Sequence, residues 1–481
     1  MESIWSASVA FEEKPSLDGD ISAEAAVIGG GLAGILTAFF LSERGIETVV
    51  LEAECIGGGA TKNTTAKVTV QHELIYARLI KDFGLRRARQ YATANTQAIG
   101  QYRRIITENN IACDFTDCAA YLYTTENTIP LETELEAALR VGIDAEITAE
   151  TELPFSVKGA LKFSGQAVFN PLQFLKAVSE NLTVYEHTKV KKVEKDLIIT
   201  DRGTVKAKHI VFASHFPFIN VPGYYFAKMH QGREYALALE NAGTFRNTYV
   251  GIDSDGLTFR NYGEFTIVGG CEHRTGENSQ GGKYAQLQRQ AQKLWPESRE
   301  LSHWSAQDCM TPDGVPYIGR FSRSRPDWYV CTGFNKWGMT SSMAAAQIIS
   351  AMIAGERASF APVFSPQRQT TPPAARAIVK NGLQAAKGLG REIFSLPKEK
   401  IEELPKDHGG IIEYGGVKFG VYKDDGGKSH FVDVRCPHMG CMLEWNPDDK
   451  SWDCPCHGSR FDIFGKLLDN PAQEDIEGFI R

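Results

Sequence analysis

Two short loops near the end of the 481-residue chain restrict its fold more than any other stretch. They read Cys436-Pro437-His438-Met439-Gly440-Cys441 and Cys454-Pro455-Cys456-His457-Gly458-Ser459. Each therefore offers one thiolate and one imidazole. Such donors suit a structural zinc or an iron–sulfur centre. A zinc finger takes both cysteines from one loop and both histidines from a helix. Here each loop gives one of each, which fits a [2Fe–2S] core with two cysteines on one iron and two histidines on the other. The expected ligands are Cys436, His438, Cys454 and His457.

The two loops resemble those of the Rieske iron–sulfur proteins. That resemblance implies a Cys441–Cys456 disulfide tying the loops together. Two reduced thiols are the alternative, because cytosolic disulfides are rare. It also implies that the Ser459 hydroxyl donates to a bridging sulfide. Phe461 stands where high-potential members have tyrosine, and a phenyl ring cannot donate to a ligand sulfur. The expected potential is therefore below the top of the family range. Asn470-Pro471-Ala472 resembles the loop that covers the cluster from a third side. The edges of His438 and His457 are expected to face solvent or a partner.

A second constraint lies near the N-terminus. Ala25-Ala26-Val27-Ile28 reads as a buried strand, Gly29-Gly30-Gly31-Leu32-Ala33-Gly34 as a tight turn, and Ile35 to Arg44 as a helix. Thr48-Val49-Val50-Leu51 is the next strand and ends at Glu52. This is a dinucleotide fingerprint in its βαβ setting. Gly29 permits the turn, Gly31 lets the backbone approach a pyrophosphate, and Gly34 lets helix and strand pack closely. The helix N-terminus favours phosphate, and Glu52 is placed to accept from ribose hydroxyls.

Later motifs favour FAD over NAD. They are the loop from Ile56 to Ala66, Thr311-Pro312-Asp313-Gly314-Val315-Pro316-Tyr317-Ile318-Gly319, and Thr332-Gly333-Phe334-Asn335-Lys336-Trp337-Gly338-Met339. Over about residues 20 to 360 the chain resembles the D-amino-acid oxidase and glycine oxidase superfamily. The resemblance implies non-covalent FAD contacted by Thr61, Thr64, Thr65, Ala66, Val190, Gly333, Gly338, Met339 and Thr340. A helix starting near Met339 would point its N-terminus at the flavin pyrimidine edge, where reduction places negative charge. Thr340 stands where sarcosine-type members carry a substrate-gripping lysine, and Trp337 where many have histidine. An N-methyl amino acid held in that manner is therefore not expected.

Candidate substrate-side residues are His72, Tyr76, His230, Arg233, Arg260, His273, Asn335, Lys336 and Trp337. Arg233 and Arg260 have side chains able to clamp a carboxylate bidentately, but the preferred reading of each is a surface or structural arginine. His72 and His273 are read as general bases or as hydrogen-bonded core histidines, and Lys336 as a flavin modulator or a solvated lysine.

The expected fold is α/β and α+β: a Rossmann-like FAD-binding domain, an interleaved mixed-sheet substrate domain, and a C-terminal all-β Rieske domain. The boundaries are about 20–84, 153–234 and 302–360 for FAD binding, and about 85–152 and 235–301 for substrate. A linker with a helix spans 361–408, and the cluster domain 409–481. Charged residues are 23% and the net charge is −7, which argues against nucleic acid or an anionic membrane as partner. No run of about 18 apolar residues occurs, and the first residues lack the apolar core of a secretion signal. A cytoplasmic location is expected. Two redox centres on one chain predict an enzyme that oxidises a small amine or amino-acid-like substrate and passes electrons from FAD to the cluster and an external acceptor. The alternative is an electron-transfer component, a reductase–ferredoxin fusion serving a separate enzyme. A redox sensor is a third reading.

Overall fold

The structure is a computed structural model that describes residues 2–394, 401–414 and 416–480. Residues 395–400 of the expected linker lie outside these.

Strand β1 (Ile21–Ile28), helix α1 (Leu32–Ser42) and strand β2 (Thr48–Leu51) form the predicted βαβ unit. Ala25 to Ile28 are all buried. A run apolar on both faces is what a central parallel strand covered by helices requires. β1 pairs in parallel with β2 and with Thr204–Phe212, and the sheet extends to Thr183–Tyr185 on one side and Arg325–Thr332 on the other. Tyr317–Ser322 closes one edge antiparallel. The alternating stretch Thr183 to Val193 is broken into two strands, Thr183–Tyr185 and Val190–Glu194, by a turn with His187 at φ 49°. Helix Gly338–Ile353 shares one core with α1 through Ile35, Met343, Ala344 and Ile348.

A nine-stranded mixed sheet forms the second layer. Its order runs Arg299–Met310, His230–Glu240, Phe265–Arg274, Thr258–Tyr262, Thr248–Gly251, Thr116–Thr124, Gly159–Val168, Lys67–Val68, with Ala145–Thr148 also on Gly159–Val168. It draws on more of the chain than the insertions expected from sequence. Gly159–Val168, the start of His230–Glu240 and the end of Arg299–Met310 all come from stretches read as nucleotide-binding. Those strands alternate or bury both faces, so periodicity alone does not say which sheet takes them.

The C-terminal region is all β. One four-stranded sheet contains His408–Tyr414, Val417–Lys423, Ser429–Asp433 and Gly478–Ile480; the other contains Glu444–Asn446, Ser451–Asp453, Arg460–Phe461 and Leu467–Asp469. Trp445, Trp452, Leu443 and Phe461 form its core. The helix expected in the linker spans Pro372–Phe394. It leans on both halves: Arg274 Nη1 donates to Asn381 Oδ1 (2.9 Å) and Gln384 Oε1 (2.6 Å), while Ala385 packs against the C-terminal core. Among the described residues, no helix is long and apolar enough to cross a membrane.

Candidate cluster and flavin sites

The cluster loops hang from the second β-sheet as two tight turns. Gly440 N–H donates to Cys436 O (2.8 Å) and Gly458 N–H to Cys454 O (2.9 Å), with Gly440 at φ 78° and Gly458 at φ 86°. Cys441 and Cys456 are joined as a disulfide. The Sγ atoms of Cys441, Cys454 and Cys456 all lie within 4.8 Å of one another. The disulfide consumes two of these sulfurs, so the thiolates left for a metal are Cys454 and Cys436. The Cys454 thiol hydrogen-bonds Cys436 and pulls it down to about 7 against burial, while Cys454 itself is pushed up. The rings of His438 and His457 are 4.8 Å apart at 89°. Their Nδ1 atoms are buried and have no protein partner. Burial lowers His438 to about 4 and His457 to about 3, which keeps both imidazoles neutral, the form that binds metal. Two adjoining thiols and two orphaned Nδ1 atoms fit a [2Fe–2S] core. Ser459 Oγ accepts from Ala472 N–H (2.9 Å), which leaves its own proton to donate inward.

The histidine face is covered in large part: His457 is buried and His438 half-buried. It is pressed against the rest of the chain. The Phe226 ring centre lies 6.1 Å from that of His438 and 5.7 Å from that of His457, at 77° and 85° between planes. Gln231 Nε2 donates to His457 O (2.8 Å) and Asn470 O (2.9 Å), and Gln307 Nε2 to Gly458 O (2.8 Å). Asn470 Nδ2 reaches Ser214 O (2.7 Å) and Phe216 O (2.8 Å). A Cβ on Gly458 would come within 2.7 Å of Gln231 Cβ, so this contact requires glycine. The partner expected from sequence for the histidine edges is thus the chain's own oxidoreductase half.

The nucleotide turn is as tight as the fingerprint demands. A Cβ on Gly34 would meet Gly29 O at 1.9 Å. Gly30 N–H donates to Glu52 Oε2 (2.6 Å) and Glu54 N–H to Oε1 (2.9 Å). Burial raises the Glu52 carboxyl, and these two bonds oppose it. Thr61 Oγ1 accepts from Leu32 N–H (3.0 Å) at the start of α1. The Asn63 to Ala66 segment is pinned by its carbonyls: Trp304 Nε1–H donates to Asn63 O (3.0 Å), Trp5 Nε1–H to Thr64 O (2.7 Å), and Arg260 Nη1 to Thr65 O and Ala66 O (2.8 Å each). These bonds hold Ala66 at φ 54°. On the far side, Asn335 Oδ1 accepts from Thr311 N–H (2.8 Å), Asn335 Nδ2 donates to Gly333 O (2.6 Å), and Tyr102 Oη donates to Met339 O (2.9 Å). No side chain caps the helix that begins at Gly338, so its first N–H groups remain for a bound anion. Val190 is buried at the start of its strand. Gln71 is fully buried with both amide atoms unpartnered. A glycine cradle, an uncapped helix and an orphaned amide fit FAD.

The substrate-side candidates scatter. Arg260 is occupied by backbone carbonyls and stacks on Trp5. His72 is stacked on Trp337, bonded to Tyr91 and Thr69, and lowered by burial to about 3. His273 bonds Tyr235 Oη (2.9 Å) and Arg274 O (2.7 Å). Tyr76 Oη donates to Val70 O (2.5 Å). His230 lies 3.4 Å from Asn381 Nδ2 in the connecting helix. Arg233 pairs with Asp449 of the cluster domain at 2.7 Å, so it is not free to clamp a substrate carboxylate. Lys336 is different: its Nζ sits 2.6 Å from Glu272 and 3.5 Å from Glu234. Burial works against that charge, but Glu234, Glu272 and Glu73 outweigh it and hold the ammonium above its usual range. Burial raises Asp308 to about 7 against the pull of Lys336, and lowers Lys67 to about 8. Sequence reasoning missed Asp308, Glu234, Glu272 and Lys67.

The antiparallel strands His230–Glu240 and Arg299–Met310 explain this division. Successive side chains alternate between faces. Gln231, Arg233, Ser305 and Gln307 point to the cluster domain. Glu234 and Asp308 point the other way, towards Glu272 and Lys336.

Together these features define a flavoprotein oxidoreductase with an attached iron–sulfur domain. Residues 24–352 match the FAD dependent oxidoreductase family (DAO) and residues 396–479 the Rieske [2Fe-2S] domain. A Bacillus subtilis (strain 168) protein, YhfW, whose own assignment as a Rieske 2Fe-2S iron-sulfur protein is provisional, is 35% identical over 99% of this chain and 97% of its own. Among solved structures, glycine oxidase from Geobacillus kaustophilus superposes with a TM-score of 0.62 at 17% identity, covering 72% of this chain and 99% of that one. L-proline dehydrogenase from P. horikoshii gives 0.61 at 18%, covering 73% and 98%. The chain belongs to the DAO family of FAD dependent oxidoreductases, in a form that carries a C-terminal Rieske domain. Its cofactors are FAD and a [2Fe–2S] cluster.

Proposed function

We propose that the chain oxidises a small amine or amino-acid-like substrate at its C–N bond and delivers the electrons through the cluster to an external acceptor. The observation that carries this reading is the burial of the cluster's histidine face against the oxidoreductase half, through Phe226, Gln231 and Gln307. The names of the two structural neighbours, a glycine oxidase and a proline dehydrogenase, agree with C–N chemistry. When bound, FAD accepts an electron pair from substrate and the cluster carries one electron at a time.

The chain's own residues divide the work. Cys436, His438, Cys454 and His457 hold the cluster. Gly29, Gly31, Gly34 and Glu52 hold the adenosine end of FAD, and Val190 contacts its adenine. Thr61, Thr64, Thr65, Ala66, Gly333, Gly338, Met339 and Thr340 surround the rest. Glu234, Glu272 and Asp308 make the inner face acidic around Lys336, which favours a cationic ammonium over a carboxylate. An ammonium must lose a proton before its C–N bond is oxidised, and we assign that proton to Asp308, whose raised carboxyl is supported by its burial among Lys336, Glu234 and Glu272. A cytoplasmic setting accompanies this reading, supported by the six unbridged thiols outside the cluster domain.

Asp308 gives the reading a pH signature. The raised carboxyl is protonated below about 7 and can act as a base only above it. The wild-type kcat/KM should therefore rise with pH through that value. Asp308→Asn should lose the limb and about 100-fold or more of the rate. Folding has the opposite sign: the stability that protonated Asp308 contributes is complete below 3.8, its unfolded value, and is lost as pH rises through about 7. An unchanged profile in the variant would remove Asp308 from the chemistry.

The reading as a whole is tested by anaerobic stopped-flow mixing with a panel of amines and amino acids. The flavin absorbance should bleach, and the cluster absorbance should follow it. A flavin bleached at once by NAD(P)H and by no amine would instead make the chain a reductase–ferredoxin component. A flavin that is reduced by substrate and never passes charge to the cluster would refute the relay.

A further inference from the structure

The surroundings of the two imidazole ligands are not alike, and the difference comes from across the domain boundary. His438 Nε2 lies 2.9 Å from Asn220 Oδ1. His438 Nδ1 is buried and has no protein partner. A neutral imidazole has one protonated and one bare nitrogen. If Nδ1 is the bare one that meets iron, Nε2 carries the proton and its partner must be an acceptor. The carboxamide oxygen of Asn220 is such an acceptor, and this logic fixes the orientation of the amide as well.

Asn220 belongs to the oxidoreductase half. It follows the parallel strand Thr204–Phe212, and its loop is anchored: Phe216 is fully buried, Phe218 and Ile219 pack on the same core, and Tyr224 N–H returns to Asn220 O at 2.8 Å. Asn470 ties the loop from the other side through Ser214 O and Phe216 O. The amide is therefore presented from a fixed platform.

We infer that Asn220 is a positioning residue for the cluster: its side-chain oxygen holds His438 Nε2–H, sets the ring's orientation and tautomer, and makes the cluster's reduction potential depend on docking against the oxidoreductase half. An acceptor on the distal N–H makes an imidazole a stronger donor to its metal, which favours the oxidised cluster. The inference rests on the ligand set proposed above and not on the choice of substrate.

The test is a mediated redox titration of the full-length holoprotein with dithionite, followed by electron paramagnetic resonance of the cluster and by flavin absorbance. Asn220→Leu removes the acceptor and should raise the cluster midpoint. The expected shift corresponds to about a three- to tenfold change in the oxidised-to-reduced ratio at fixed potential, the equilibrium value of one hydrogen bond. Asn220→Asp keeps the acceptor, adds charge and should lower the midpoint. The flavin midpoint should stay put in both. Opposite shifts support the inference. Shifts of one sign, or none, in variants of equal iron content overturn it. If Asn220→Leu loses iron, the aspartate variant decides alone: a lowered midpoint supports the inference, and an unchanged or raised one overturns it. A wild-type protein without acid-labile sulfide or a rhombic reduced signal would sink the ligand set itself, which is a separate result. Titration by dithionite proceeds whether or not any amine reduces the flavin, so failure of the proposed reaction is read independently.

Discussion

Replacing Arg233 by methionine is expected to destabilise the folded chain by about 3–5 kcal/mol, the usual cost of leaving one member of a buried ion pair without its partner. Arg233 and Asp449 side chains are 2% and 3% exposed and 2.7 Å apart. The arginine comes from the strand His230–Glu240 and the aspartate from the turn after Glu444–Asn446, so the pair spans the two halves. Arg460 also approaches Asp449, at 3.4 Å, but it is shared with Asp453 and Asp469. Desolvation would raise the Asp449 carboxyl, yet Arg233 and then Arg460 outweigh it and hold the group below its usual range. A lowered carboxylate stabilises above its unfolded pKa and ceases to do so as pH falls through the folded one. The wild type should therefore loosen in acid, and the variant should have lost most of that dependence. Calorimetry and denaturant titration measure both. A change within about 0.5 kcal/mol, the range of ordinary surface substitutions, would mean that the pair does not hold the halves together.

Gly34→Ala should yield protein that retains the cluster spectrum and loses FAD. The added methyl would lie 1.9 Å from Gly29 O, which is backbone and cannot swing away. Either α1 moves off β1 or the turn opens, and both changes spoil the surface proposed to meet the pyrophosphate. Gly100→Ala is the matched control. It lies in the helix Leu85–Glu108 with nothing within 4 Å of the new methyl, and should be neutral or stabilising by up to about 1 kcal/mol. Flavin released by heat from each purified protein, set against its iron content, distinguishes the outcomes. Full flavin occupancy in Gly34→Ala would place the nucleotide elsewhere.

Features encoded locally are legible in the amino-acid sequence. Gly29, Gly31, Gly34 and Glu52 fall within one βαβ unit, where turn chemistry and burial pattern dictate the geometry. Cys436 to His457 form two loops whose donor order already separates zinc from iron–sulfur. Contacts made by one element against a distant one are not legible in this way. Trp5 and Trp304 reach the Asn63 to Ala66 segment from 59 and 241 residues away. Nothing in the chain on either side of Asp308 marks it as buried beside Lys336. Arg233 has the right side chain for a carboxylate clamp; only the direction of its strand's pleat assigns that carboxylate to Asp449. The histidine edges call for solvent or a partner, and the sequence carries no sign that the partner is the same molecule.

The pleat of His230–Glu240 has a consequence for how the two halves communicate. Consecutive residues, Arg233 and Glu234, face opposite sides of one strand, so a single strand separates the ion pair with Asp449 from the one with Lys336. That strand is part of the scaffold and has no hinge to wait for. Under the proposed relay, electron passage between the halves should therefore keep the same pace when sucrose or glycerol thickens the medium, unlike designs in which a tethered carrier must travel between docking stations.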